Sequence, residues 1–199
     1  MSAERAEWSG WAEPEPIVLH LDDWTHPADE ADLAMLELCD GPTLDVGCGP
    51  GRLTEALGLR GHVVLGIDVA REAVGRTVRR GGAAIRRDVF APLPGEGRWF
   101  TALLADGNVG IGGDPVALLN RLRQVLDPRG RVVVELAAPG TEPCTGWATL
   151  SDRGLPTQTF PWSVVGVDDI HGLARAAGLE ATGMHRFAHR WCAVLEAVA

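Results

Sequence analysis

The sequence predicts an α/β fold: a doubly wound, mostly parallel, seven-stranded sheet with an antiparallel C-terminal strand pair. Three observations predict it. From Thr43 onward, short apolar runs alternate with helical stretches, which implies βαβ crossovers and helices on both faces of a sheet. A glycine triplet directly follows the first of those runs. The last two apolar runs adjoin one another with no helix between them, so they close the sheet as a pair.

Residues 1–16 are expected to form a flexible acidic arm, because Glu13–Pro16 reads Glu-Pro-Glu-Pro and cannot extend a helix. Residues 17–199 are expected to form a single domain. Thr25-His26-Pro27 reads as a helix start, with Asp29 and Glu30 favoured in the first turn by the helix dipole. Ala31, Ala34, Met35 and Leu38 give that helix one buried stripe, and Gly41-Pro42 ends it. Strands follow at Thr43–Val46, His62–Ile67, Ala83–Arg87, Trp99–Leu104 and Arg131–Leu136. Helices are expected at Leu53–Leu59, Arg71–Arg79, Asp114–Leu126 and Asp168–Ala177, and the closing strands at Gly183–His189 and Arg190–Glu196.

Composition excludes several classes. The 199 residues are 46% hydrophobic and 23% charged, which suits one soluble globular domain. Met1–Gly10 has neither a basic n-region nor an apolar h-region, and no apolar run reaches the ~18 residues a membrane span needs. The four cysteines (Cys39, Cys48, Cys144, Cys192) are widely spaced, with no CxxC pair or His cluster. Neither a disulfide framework nor a metal site is expected, and a reducing cytoplasm is the default location. All 18 basic residues are Arg, and the net charge is −9. Met1–Asp40 carries −10 and the remainder +1, so nothing offers a footprint for a phosphate backbone.

The informative segment is Leu44-Asp45-Val46-Gly47-Cys48-Gly49-Pro50-Gly51-Arg52-Leu53. Glycine at such a turn permits positive φ and lets a ligand approach bare backbone. At the carboxyl end of a first parallel strand, that is where doubly wound sheets bind ligands. The spacing is GxGxG, whereas a dinucleotide fingerprint would require glycine at Arg52, so a nicotinamide-dependent oxidoreductase is disfavoured. Asp68, ending the next strand 17 residues after Gly51, is able to accept two hydrogen bonds from a ribose diol or to cap the following helix. Asp88, after the third strand, is placed to accept from an adenine amino group.

These motifs resemble the class I S-adenosylmethionine-dependent methyltransferases of the bacterial small-molecule type, over roughly Asp40 to the C-terminus. Leu126-Asp127-Pro128-Arg129-Gly130 resembles the family's L-x-P-G-G turn, with Arg129 in the first glycine's place. The resemblance implies a Rossmann-like methyltransferase fold and S-adenosylmethionine as cofactor, with S-adenosylhomocysteine as product. Gly47, Cys48, Gly49 and Gly51 would then lie against the methionine part, and Asp45 would attract its amino group. Asp68 would hold the ribose, Val69 would pack on the adenine, and Asp88 with the Val89 backbone would read its edge. Ala105 to Asn108 would border the sulfonium and the incoming nucleophile.

The reaction implied is an in-line displacement onto a small-molecule acceptor, in which positioning does most of the acceleration and a general base is optional. A non-catalytic S-adenosylmethionine-binding subunit or sensor is the alternative. Asp106 is the candidate base, with His20 and His26 as further candidates. Ala105–Gly113 lacks the Asn-Pro-Pro-aromatic motif of the amino-group nucleic-acid methylases, and Pro143-Cys144 follows the wrong strand for a cytosine-C5 enzyme. Walls on the acceptor side are expected from Ile17–Thr25, with His20, Trp24 and His26 near it, and from Ala137–Val165, carrying Trp147, Phe160 and Trp162. The arginines from Arg71 to Arg87 read as a solvated face.

Overall fold

The computed structural model describes residues 16–198, so the acidic arm, apart from Pro16, lies outside the described residues. The described residues start with strand β1 (Ile17–His20), a 3-10 turn (Leu21–Trp24) and helix α1 (Glu30–Leu36). Five parallel strands follow: β2 (Thr43–Val46), β3 (Val64–Asp68), β4 (Ala84–Arg86), β5 (Trp99–Leu104) and β6 (Leu126–Leu136). Helices α2 (Arg52–Leu59), α3 (Arg71–Arg79) and α4 (Pro115–Val125) lie between them. The hairpin β7 (Cys144–Asp152) and β8 (Leu155–Val164) precedes α5 (Ile170–Ala176), β9 (Leu179–Phe187) and β10 (Arg190–Ala197).

The main sheet has the order β4-β3-β2-β5-β6-β10-β9. Only β10 runs antiparallel, inserted between β6 and β9. The expected seven-stranded sheet with its C-terminal antiparallel pair is therefore what forms. Alternate side chains of its central strands feed two cores. Leu44, Val46, Leu104, Val132 and Val134 face Leu118, Leu119, Leu122 and Ile170 of α4 and α5. Leu103, Ala105 and Val133 face Met35, Leu36, Leu53 and Leu57 of α1 and α2. Each such fully buried leucine contributes about 1.5–3 kcal/mol. The strand order reverses between β2 and β5, and the crevice at their carboxyl ends is where a ligand fits.

Local chemistry sets the boundaries. Asp114 caps α4 by accepting from the Ala117 N–H at 2.9 Å, and Pro115 supplies the first turn. Helix α1 begins later than expected from Thr25–Pro27. Its cap is Asp29, which forms a reciprocal capping box with Asp32, while the Thr25 hydroxyl donates to Asp22 O and closes the 3-10 turn. Its buried face is Asp32, Met35 and Leu36, rotated from the apolar stripe because Asp32 turns inward to a buried cation.

A second, three-stranded sheet was not expected. Strand β1 pairs parallel with β7, which pairs antiparallel with β8, and this sheet caps the crevice. Prolines 156 and 161 and the polar run Ser151–Thr159 obscure the alternation that would have marked two strands. The cap docks on the loop after β5. A bridge joins Ile111 to Trp162, Ser163 Oγ donates to Gly113 O at 2.8 Å, and a Cβ on Gly110 would overlap the Ser163 carbonyl.

Candidate functional site

The β2–α2 loop, the tips of β3 and β4, the β5 loop and the cap enclose one cavity of about 270 Å³. Gly47, Cys48 and Gly49 line it, as do Asp68, Val69, Asp88, Val89, Asp106, Asn108, Trp24 and Trp162. The structure thus brings together eleven residues that the sequence had placed at a site along separate elements.

The three glycines differ in what they do. Gly49 has φ +54° and open space where a Cβ would stand, so it presents bare backbone to the cavity. Gly47, at φ +73°, is packed under Asn108 Nδ2, which donates to the carbonyls of Val46 and Gly47 at 2.9 and 3.0 Å. Gly51 does not line the cavity. It starts α2 at φ +87°, and a Cβ there would overlap Thr77 of α3, so its role is helix packing. Cys48 is buried, which holds its thiol pKa well above the usual range.

Asp68 lines the cavity and is not the cap of α3, whose N-cap is Ala70 with no side-chain cap hydrogen bond. Its carboxylate accepts from the Gly49 N–H at 3.0 Å and the Ala70 N–H at 2.8 Å, so it ties the glycine loop to the start of α3 while lining the cavity. Each oxygen keeps a lone pair for another donor. Burial raises its pKa, against the lowering effect of those N–H groups. Asp88 accepts from the Phe90 N–H at 2.9 Å, and the Val89 carbonyl accepts from Arg121 Nε at 2.9 Å.

Besides Gly51, five expected residues stand elsewhere. Asp45 is 2% exposed and behind the loop, accepting from Thr54 Oγ1 at 2.6 Å; burial raises its pKa to about 6. Ala105 points into the core beside α1 and α2, because the side chains alternate along β5. His20 is exposed on an edge strand paired with β7, and His26 is exposed with Nδ1 against Pro27 O at 2.7 Å. Trp147 lies 58% exposed, on the outer face of the cap.

Sequence reasoning missed the ionic floor. Arg52 Nε and Nη2 donate to Asp32 at 3.0 and 2.9 Å, and its Nη1 and Nη2 donate to Asp106 at 2.7 and 2.9 Å. Arg190 of β10 binds Glu135 at 2.7 and 2.6 Å and also reaches Asp32, while Glu135 accepts from the Asp106 N–H at 2.7 Å. Three carboxylates against two guanidiniums leave the floor negative. Asp106 has φ +53°, and both of its oxygens are held by Arg52. Burial raises its pKa, against the lowering influence of Arg52. The signals were an arginine directly after the glycine triplet and a polar residue amid the stripe of α1.

Residues 43–130 match the family model described as a methyltransferase domain. Over that stretch the chain is similar to a methyltransferase domain. Among solved structures, this methyltransferase fold is shared with an S-adenosylhomocysteine complex of a methyltransferase from Bacteroides fragilis, at TM-score 0.70 and 19% identity, covering 86% of this chain and 78% of that one. It is shared too with a 1,6-didemethyltoxoflavin-N1-methyltransferase from Burkholderia thailandensis, at TM-score 0.64 and 20% identity, covering 89% and 82%. A ubiquinone biosynthesis O-methyltransferase of Cereibacter sphaeroides is 30% identical over 153 residues, covering 69% of this chain and 59% of its own. A Mycobacterium tuberculosis protein is 30% identical over 122 residues, covering 61% and 41%. The chain thus spans about two to three fifths of the length of those curated relatives. Among the described residues, no group of three or more His, Cys, Asp or Glu is arranged to hold a metal, and no helix is long and apolar enough to cross a membrane.

Proposed function

We propose that this chain transfers a methyl group from S-adenosylmethionine to a small-molecule acceptor. The observation that carries the reading is the convergence of bare Gly49 backbone, Asp68 and Asp88 on one cavity. The residues present fit the cofactor. Asp68 offers lone pairs to the ribose diol, Val69 an apolar contact and Asp88 an acceptor for the adenine amino group. When bound, S-adenosylmethionine supplies a methyl group already activated as an electrophile on a sulfonium. The negative floor suits a cationic ligand. A relative named as a ubiquinone biosynthesis O-methyltransferase and a fold neighbour named as a 1,6-didemethyltoxoflavin-N1-methyltransferase support the acceptor class.

The chain's own residues chiefly position and exclude water. Asn108 fixes the Gly47 carbonyl, and the docked cap covers the crevice. Asp106, with both oxygens held by Arg52, orients the floor, and the acceptor's proton passes to solvent water. A binding-only role is the competing reading. Incubation with methyl-labelled S-adenosylmethionine and a metabolite extract separates them. Label appearing in a small product supports transfer; retained cofactor with no labelled product contradicts it.

A further inference from the structure

We propose that the acceptor is an uncharged molecule with a flat, largely apolar ring, and that Gln158 selects it by hydrogen bonding its polar edge. The inference rests on the methyl-transfer reading and is carried by the cap half of the cavity. There Leu21, Trp24, Leu150, Phe160 and Trp162 supply an apolar wall, and Gln158 of β8 is its single polar side chain among the described residues. Phe160 and Trp162 meet edge to face, with centroids 5.9 Å apart at 62°, an arrangement that leaves aromatic surface toward a ring. Across the gap Phe90 lines the same space and is 44% exposed, a large apolar side chain awaiting a partner.

The charged groups of the cavity argue the same way. Among the described residues, no cap residue that lines it is charged. Arg52, the cation on the floor, is already shared between Asp32 and Asp106, and Arg87 is exposed at the rim next to Asp88. An anionic ring under the cap would therefore give up its hydration to an apolar wall, with only the solvated guanidinium of Arg87 at the rim to offset the loss. Asp106 is held by Arg52 at 2.7 and 2.9 Å, and in the proposed reading the floor's net negative charge faces the sulfonium and the remaining Asp68 lone pairs the ribose, which leaves neither carboxylate for an ammonium on the acceptor. An exposed amide opposite an apolar wall suits a hydroxyl or a ring nitrogen.

Three probes sharing one ring test this: 1-naphthol, 1-naphthoate and 1-naphthylmethylammonium, titrated calorimetrically with and without saturating S-adenosylhomocysteine. Naphthol should bind about tenfold or more tightly than either charged probe. Gln158→Leu should weaken naphthol several-fold, and Gln158→Arg should move the preference toward naphthoate by about tenfold. Gln158 is exposed, so both variants should keep the parental unfolding midpoint and S-adenosylhomocysteine affinity. Equal or tighter binding of a charged probe, or probe ratios indifferent to both variants, would overturn the assignment. Absent S-adenosylhomocysteine binding would instead count against the methyl-transfer reading, while the titrations on free protein still decide the ring preference.

Discussion

Replacing Asp32 with Ala tests the ionic floor most sharply. Asp32 is 0% exposed and accepts from the Asp29 N–H and from the guanidiniums of Arg52 and Arg190. Removing it leaves those two buried cations with Asp106 and Glu135, so neither is orphaned but each loses a partner. The cost should therefore fall at the lower end of that for breaking a buried pair, about 3 kcal/mol. For a domain of this size that is about 6–12 °C in Tm. Burial alone would raise the Asp32 pKa, but the hydrogen bonds from Arg190 and Arg52 outweigh it and leave it below the ordinary value. The stabilisation is therefore complete above about pH 4, and it is lost as pH falls through the depressed native pKa. Thermal unfolding of Asp32→Ala beside Arg79→Ala makes the comparison. The Arg79–Glu72 pair is exposed on both sides, and its loss should cost under about 0.5 kcal/mol. An Asp32→Ala shift under about 2 °C, or one equal to the Arg79 control, would refute the reasoning.

Other substitutions separate fold from ligand. Asp45→Asn should stabilise the protein above pH 6. A native pKa of about 6 means that the unfolded chain ionises first, so wild-type stability falls between about pH 4 and 6 and the burial cost is then about 2–3 kcal/mol; urea midpoints of variant and parent across that range check it. Gly51→Ala should destabilise by at least about 2 kcal/mol, from left-handed strain plus overlap with Thr77, read by urea titration. Gly49→Ala carries similar strain but meets open space, so its dominant loss should be in S-adenosylhomocysteine affinity.

Much of this molecule was legible in its sequence, for reasons that differ by region. The parallel sheet announced itself because buried strands such as Leu44–Val46 and Val132–Val134 are short apolar runs set off by helices and turns. That Gly47, Gly49 and Asp68 would line a crevice was legible because few residue types serve at a strand tip that opens into one. Strands β7 and β8 were hidden, since an exposed cap needs little apolar alternation and its prolines mimic a loop. The glycines from Gly107 to Gly113 read as a departure from a nucleophile motif, and the docking of β8 accounts for the need at Gly110. Long-range partners were also invisible. Arg190 and Asp32 lie 158 residues apart, and no local pattern announces that they meet under Asp106.

The central claim is that the bare loop, Asp68 and Asp88 together hold an adenosyl thioether. Titration calorimetry of the folded chain with S-adenosylhomocysteine tests it directly, with Asp68→Ala and NAD alongside. One-site binding is predicted, weakened by about 1–3 kcal/mol in Asp68→Ala, with no heat from NAD. No retention of S-adenosylhomocysteine by folded protein, or saturable binding of NAD in its place, would contradict the account.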